Sequence, residues 1–542
     1  MTSILKYLNR ALLVLLLAAF AACSDNEGGN ESNGNGDDGN TETPADGDTY
    51  GYIKDTNGNS VEGVVVSDGY SCTATDAEGR YALTRNADAG FVFYSLPSAY
   101  KVSVDKTYKL PRFFARLQAG TARYDFTLEA LAAPEKRFDL ICIGDPQINE
   151  ASHAVRFKEE AGREIREYAA SAGVPCYGIT LGDIGWNTEN TDYTNDVFPL
   201  MKKAMQTDKV GLPLFQVMGN HDNKVIAVSK DNYTVAHDIA AQRNFEYIFG
   251  PVNYSFDRGN VHIIAMDNII FPSHKDYSLG FRDDQVEWLR QDLSYVSKDK
   301  MVILCVHIPM RASGNQNVQA VFELLKPFAE VHVMSGHTHY AENNVYDSHY
   351  EHVHGAACGA WWNSTINVDG TPNGYAIYNI KGATITDWVY KGTGLDAQQQ
   401  IRLYRANDIF MRDYSKNYQF YYKGDDQIVA NVWNADKDWK IEVYENGIKT
   451  GEMTHFDYTG NEKDKSWDAW ALGYHIGVVG KAELDSNKKP TSYYQRNVRH
   501  LYYYTLQSPT ASVEVRATDR FGTTFTQTKF TTGLAEDFPV GE

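Results

Sequence analysis

The chain is short of paired thiols, of positive charge and of long apolar runs. Its six cysteines, Cys23, Cys72, Cys142, Cys176, Cys305 and Cys358, form no CxxC pair. A zinc ribbon or dithiol redox centre needs that spacing, so both are excluded. Cys142 and Cys305 lie inside apolar, strand-like runs and Cys176 begins another, which favours buried free thiols over a disulfide framework. The net charge is -19. A surface of that sign repels phosphate backbones and anionic lipid, so nucleic-acid binding and electrostatic docking on membranes are excluded. Beyond the first 22 residues no apolar run is long enough to span a bilayer. No internal repeat is evident.

At 542 residues and 43% hydrophobic, the chain can build about two to four ordinary domains. Its start is not fold. Lys6 and Arg10 precede a short apolar core, Ala11 to Ala22, and then Cys23. A basic start, a short apolar core and small residues describe an export signal. The placement of Cys23 resembles a bacterial lipoprotein signal, which implies that Cys23 is lipidated and becomes the mature N-terminus. Phe20 stands where that signal usually has an aliphatic residue, and a plain secretory signal is the alternative. The tract Ser24-Asp25-Asn26-Glu27 resembles one that some Gram-negative lipoproteins carry for display at the cell surface. The expected location is therefore outside the cytoplasm, anchored by lipid to an outer membrane. Residues 24–48 are Gly, Asn, Asp, Glu, Ser and Thr with almost nothing apolar, and read as a flexible tether.

Residues 49–131 read as a first folded unit. Strand-like runs alternate with turns at Asn57-Gly58 and Glu78-Gly79. The pattern resembles a transthyretin-like or carboxypeptidase-regulatory-like β-sandwich, with Val64, Val66, Thr73, Thr75, Tyr81 and Leu83 facing inward. No chemistry clusters there, and a spacer or docking role is expected.

From 136 to 392 the pattern changes to strands alternating with helices, over Val155 to Ala172, Asp283 to Val296 and Val318 to Phe328. In the second helix Asp283 or Asp284 can cap the start. Alternation predicts a layered α/β domain. Polar groups gather at the strand ends. Asp145 and Gln147 follow Phe138 to Ile143, Asp183 follows Tyr177 to Leu181, and Gly219-Asn220-His221-Asp222 follows Leu214 to Met218. His307 follows Met301 to Val306, and His337 and His339 follow Val331 to Met334. Ligands of open α/β sheets bind beyond the carboxyl ends of strands, where all of these stand. Asp267 faces the same edge and reads as structural, while His262, His332, His352 and His354 alternate inside strands and read as packing or surface residues.

This ordered series, DPQ, GD, GNHD, VHIP and GHTH, resembles the calcineurin-like metallophosphoesterase superfamily. The resemblance implies an α/β/β/α layered catalytic domain holding two metal ions, of Mn, Fe, Zn or Mg. Asp183 would bridge them. Asp145, Gln147 and His339 would complete one site, and Asn220, His307 and His337 the other. His221 would stabilise charge or protonate the leaving oxygen, with Asp222 orienting it. A water held between the metals would attack phosphorus. Gln147 stands where the family usually has His, so the first site would bind metal more weakly or favour harder ions. A second reading therefore stays open: a weakened scaffold acting as a surface glycan-binding lipoprotein. The substrate would be a phosphate mono- or diester of a lipid, sugar or nucleotide.

Trp361 and Trp362, among small residues from Gly355 to Asn363, suit a cleft wall that stacks on a sugar or base, with simple core packing as the alternative. His274 lies in a loop within reach of substrate. Residues 393–542 read as a second small β-sandwich. Gln427 to Asn434, then Trp439 to Tyr444 with Glu445-Asn446-Gly447, reads as a hairpin, and so does Ser512 to Phe525.

Overall fold

A computed structural model describes residues 47–186, 196–224, 232–271, 277–311, 315–406, 426–456, 467–477, 479 and 497–533. Cys23, the tether up to residue 46 and His274 lie outside them.

The first seven strands, β1 (Thr49–Asp55), β2 (Val65–Ser67), β3 (Cys72–Ala74), β4 (Arg80–Leu83), β5 (Phe91–Tyr94), β6 (Phe114–Arg116) and β7 (Phe126–Leu128), form two sheets, β4-β1-β7 and β3-β2-β5-β6. Val64, Val66, Thr75, Tyr81 and Leu83 are buried as expected, and Thr73 is half-buried. The Glu78-Gly79 turn joins strands of different sheets. The unit does not stand apart. Phe113 packs against Tyr254 (4.7 Å) and Phe215 (6.0 Å) of the next domain. Trp288 Nε1 donates to Ser67 Oγ (3.1 Å), and buried Arg258 donates to the carbonyls of Pro97 and Tyr100. Both units share one hydrophobic core.

The next strands are β8 (Arg137–Ile143), β9 (Cys176–Leu181), β10 (Leu214–Val217), β11 (Tyr254–Arg258), β12 (Val261–Ala265), β13 (Ile269–Ile270), β14 (Ser278–Leu279), β15 (Met301–Cys305), β16 (Glu330–Ser335), β17 (Glu342–Val345), β18 (Tyr350–Val353), β19 (Gly374–Lys381) and β20 (Thr384–Gly392). One sheet runs β10-β9-β8-β19-β20, the other β11-β12-β15-β16-β18-β17. Strands β8, β9 and β10 are parallel, as are β12, β15, β16 and β18. Parallel strands covered on both faces must be apolar on both faces, which explains the unbroken run Leu140 to Ile143. Leu140 and Cys142 face the second sheet. Ile141 and Ile143 face the helices, against Phe157, Ile165 and Met201. The helix Asp283–Ser294 covers the second sheet through Trp288, Leu289 and Leu293. This is the α/β/β/α sandwich, flanked by β-rich units.

Several local expectations need correction. The first helical stretch divides into Ala151–Glu159 and Ala161–Ser171. The break falls at Glu160 (φ -94°, ψ -106°), whose carboxylate accepts from Arg156 (2.7 Å) and Asn373 (3.3 Å). Arg282, not Asp283 or Asp284, caps the helix that follows, and the Gln285 side chain accepts its N–H (2.8 Å). Periodicity missed the longest described helix, Val235–Phe249.

The C-terminal unit has β21 (Ile401–Arg405), β22 (Gln427–Val432), β23 (Lys440–Glu445), β24 (Ile448–Glu452), β25 (Thr454–His455), β26 (Leu501–Thr505), β27 (Val513–Thr518) and β28 (Thr524–Gln527). Its sheets are β21-β22-β26-β25 and β24-β23-β27-β28. β22 and β23 therefore lie in different sheets. The hairpin is β23–β24, closed by Asn446 (φ 51°) and Gly447 (φ 82°), the left-handed pair that a two-residue turn requires. β27–β28 is a hairpin as expected. A helix, Ala469–Gly477, is added to the sandwich.

Candidate metal centre

The ends of β8, β9, β10, β15 and β16 converge, and each chain turns sharply there. Asp145 and Gln147 (both φ 43°), Asp183 (50°), His337 (71°) and His339 (52°) all sit in the left-handed region that non-glycine residues avoid. Such strain persists only where the surroundings enforce it, and it clusters at functional sites. Glycines make the close approach possible. A Cβ on Gly219 would stand 2.3 Å from Asp183 Oδ1, and one on Gly336 would stand 2.5 Å from Asp145 Oδ2.

The side chains form two groups around Asp183. On one side His307 Nε2 lies 3.3 Å from Asp183 Oδ1, 3.0 Å from Asn220 Oδ1 and 3.2 Å from His337 Nδ1. The donor atoms of Asp183, His307 and His337 all lie within 4.8 Å of one another. His307 Nδ1 faces the Leu181 carbonyl (2.7 Å), which leaves Nε2 for the cluster. On the other side Gln147 Nε2 donates to Asp183 Oδ2 (3.2 Å), and His339 Nε2 stands 3.5 Å from Asp145 Oδ1. His339 Nδ1 faces the Gly359 carbonyl (3.1 Å). Among the described residues, Asp145 Oδ1 and Gln147 Oε1 are buried polar atoms without a hydrogen-bond partner. Two orphaned oxygens beside an imidazole nitrogen suit a cation. The residues therefore fit a metal on both sides of Asp183.

Electrostatics agree. Burial alone would push His307 down, but Asp183 beside it raises it to about 9. His337 is held down to about 3 by burial and by its neighbour His307. Burial works against the charge of Asp183, yet His307 and His221 hold its carboxyl well below the usual range.

His221 lines the same cavity, of about 270 Å³, with Gln147, Asp183, Asn220, His337 and His339. Its backbone N–H donates to Asp183 Oδ1 (2.8 Å). The Asp222 carboxylate, expected to orient the His221 ring, accepts from the backbone N–H groups of Gly219 (2.8 Å), Gly185 (2.9 Å) and Ile184 (3.1 Å). It ties the Asp183 loop to the turn that carries His221. Asp267 is structural, accepting from Gln242 (2.7 Å).

The two tryptophans part. Trp361 (φ 51°) lines the cavity and stacks on His339, with centroids 4.6 Å apart at 19°. Trp362 (φ 60°) turns into the core, donates to the Pro146 carbonyl (3.0 Å) and packs under Arg156. The cleft role expected for Trp362 is corrected, because its indole N–H is satisfied inside. Sequence reasoning missed Trp186, Tyr277, Tyr340 and Asn268. Trp186 stands 5.3 Å from His221, and Tyr277 and Tyr340 line the cavity. Asn268 Oδ1 accepts from Ile308 (3.0 Å) and His307 (3.2 Å), holding the His307 loop. Tyr340 follows His339 directly and Trp186 lies three residues after Asp183, so proximity to the motifs was the available signal.

Facing sheets with this donor set at their strand ends define a metallophosphoesterase core. Three family models match in register: the N terminal of calcineurin-like phosphoesterase at residues 48–131, calcineurin-like phosphoesterase at 125–341, and the C terminal of calcineurin-like phosphoesterase at 351–525. The chain belongs to the calcineurin-like phosphoesterase family, whose chemistry is metal-dependent hydrolysis of phosphate esters. No curated protein matches it. Similar solved structures include a 5'-nucleotidase from Candida albicans (12% identity, TM-score 0.31, 48% of this chain and 51% of that one). Another is the phosphopantetheinyl hydrolase PptH from Mycobacterium tuberculosis (12% identity, TM-score 0.26, 41% of this chain and 90% of that one). The chain thus spans about half the length of the Candida enzyme.

Proposed function

We propose that this protein is a phosphoesterase that works with two metal ions, one on each side of Asp183. The observation that carries the reading is the arrangement of Asp183 between two donor sets, with His221 beside them in one cavity. Asp145, Gln147 and His339 would hold one ion, and Asn220, His307 and His337 the other. When bound, such ions supply Lewis-acid charge for the phosphoryl oxygens and an activated water. The protein supplies the rest. Asp183 offers one oxygen to each side. A ring nitrogen of His221 carries the proton that the leaving oxygen needs, and Asp222 keeps its turn in place. Trp361, Tyr277 and Tyr340 form a wall on which the substrate's organic part rests. That part belongs to a lipid, sugar or nucleotide phosphate.

We further propose that the chain is exported and held to an outer membrane by lipid on Cys23, on the strength of residues 6–23. Cys23→Ser should release the protein from the membrane fraction. Retention in that fraction would overturn the anchor. The function is tested by elemental analysis of the purified protein beside turnover of aryl phosphate mono- and diesters. About two ions per chain with turnover is the expected result. No turnover after reloading with Mn, Fe, Zn or Mg overturns it, and glycan binding without turnover would favour the scaffold reading.

A further inference from the structure

Among the described residues, none of the C-terminal domain lines the cavity, yet the side chains it sends out converge on one loop. Residues 355–373 leave β18 and return to β19. They carry three groups that hold His339: the Gly359 carbonyl on its Nδ1 (3.1 Å), the Trp361 indole stacked on its ring, and the Val368 N–H on its carbonyl (3.4 Å). The loop is bonded within itself, as from Ala360 N–H to the Ile366 carbonyl (2.9 Å), and to the core, as from Ala357 N–H to the Gly144 carbonyl (2.7 Å). The C-terminal domain provides the rest.

The centre of the junction is Asp369, 1% exposed. Its carboxylate accepts from the Ala341 N–H (2.8 Å), two residues beyond His339, and from the Thr371 N–H and hydroxyl. On its far side stands His500, equally buried, with Nε2 3.0 Å from Asp369 Oδ2 and Nδ1 2.8 Å from Asn431 Oδ1. Asn431 Nδ2 donates to the Asp369 carbonyl (2.8 Å) and to Asp468 (2.6 Å), which fixes the direction of its amide. Arg402 donates to the Gly370 carbonyl, and His475 Nε2 lies 3.0 Å from Ser364 Oγ. Gly370 (φ 85°) leaves no room for a side chain, since a Cβ there would stand 2.9 Å from both Asn431 and Asp468.

We infer that the C-terminal domain is a positioning element of the metal centre: His500 and Asn431, through Asp369, set where His339 stands. The inference rests on the metal reading above and extends it to Asn431 and His500, about 90 and 160 positions from the nearest ligand in sequence. The chain Asn431–His500–Asp369–Ala341 ends beside His339, and so beside Asp145 and Gln147. His307, Asn220 and His337 lie on the other side of Asp183, and the bonds that brace His307 come from Leu181 and Asn268 within the core. The C-terminal domain therefore acts most directly on His339, and less directly on His337, which lies two residues away on the same turn and donates its N–H to Asp145 Oδ2 (2.8 Å).

The test is Mn2+ binding to the full-length, metal-stripped protein, followed by calorimetry. Removing partners that orient a ligand costs about 10–100-fold in metal affinity. His500→Ala is expected to weaken one of two Mn2+ sites by about tenfold and the other by less, with turnover recovered at higher Mn2+. His500→Gln, which keeps a donor toward Asp369, should recover part of the loss. Asp369→Asn keeps the volume and should act in the same direction, which guards against a His500 variant that does not fold. Val443→Ala, in the buried face of β23 in the far sheet, should lower the melting temperature and leave both affinities alone. Folded His500→Ala and Asp369→Asn with two wild-type affinities would overturn the inference, as would equal weakening by Val443→Ala. Wild-type protein that binds no Mn2+ would overturn the metal reading itself.

Discussion

The two halves of the candidate centre are built differently. In the half made of Asn220, His307 and His337, His307 is braced from inside the catalytic domain, by the Leu181 carbonyl and by Asn268, while His337 shares the His339 turn and donates its N–H to Asp145 (2.8 Å). That half offers two imidazoles and an amide. The half made of Asp145, Gln147 and His339 has a neutral amide where an imidazole is usual, holds two orphaned oxygens, and relies on a loop pinned from the C-terminal domain. On the two-ion proposal, Asp183 would join a largely self-contained site to a delegated one. When the accessory domain is perturbed, the largely self-contained half should lose less affinity for its ion than the delegated half.

The sharpest way to break this comparison is Asp183→Ala. It removes the residue common to both halves, so both ions and all turnover should be lost, while circular dichroism stays native. Retention of either ion, measured by elemental analysis, would mean that the halves are independent. His221→Ala should lower kcat by about 10²–10⁴, the usual worth of a positioned proton donor, with both ions kept. A parallel loss of ions would return His221 to a structural role. Next in size is Gln147→His. An imidazole suits Zn2+ better than an amide does, so the delegated half should bind Zn2+ about tenfold more tightly, roughly 1.4 kcal/mol. Chelator titration checks this: the wild type should release its two ions in separate steps, and the variant in steps closer together.

The smallest effect on turnover concerns His262, on β12, beneath the His307 side. Its ring lies 2.7 Å from Asp257 and 2.8 Å from Asp292. Burial opposes its charge, but Asp292 and Asp257 overcome this and raise it to about 9. A folded-state pKa above the unfolded value near 6.5 gives stability that is complete below about 6.5 and lost as pH rises through about 9. The expected loss is about 2–3 kcal/mol across that interval. His262→Gln should flatten the dependence, as read from melting temperatures at pH 6.5 and 9.5. An unchanged slope would exclude His262 as its source.

Much of the catalytic domain was readable because it obeys short-range rules. Unbroken apolar runs gave the buried parallel strands, and polar groups at their ends gave the convergence. What was not readable depended on distance. The bond from Asn373 to Glu160, where the first helix breaks, comes from more than 200 residues away. Trp361 and Trp362 are adjacent and alike in composition, and only the backbone turn sends one to the cavity and the other to Pro146. The partition of β22 and β23 between sheets was hidden because each looks like half of a hairpin. His500 carried no local signal at all, since its meaning comes from Asp369.

The left-handed backbone at Asp145, Gln147 and His339 has a consequence for how such a protein changes under selection. Glycine tolerates those angles freely, and would relieve about 1–2 kcal/mol of strain at each position against about 0.5–1 kcal/mol of added chain freedom. It would also delete the buried oxygens of Asp145 and Gln147 that lack a partner. It would equally delete the bond from the His337 N–H to Asp145 Oδ2 (2.8 Å), the Gln147 bond to Asp183 (3.2 Å) and the stacking of His339 on Trp361, and leave cavities behind. The backbone strain is thus offset by packing as well as by chemistry, so loss of activity alone would not free these positions to become glycine.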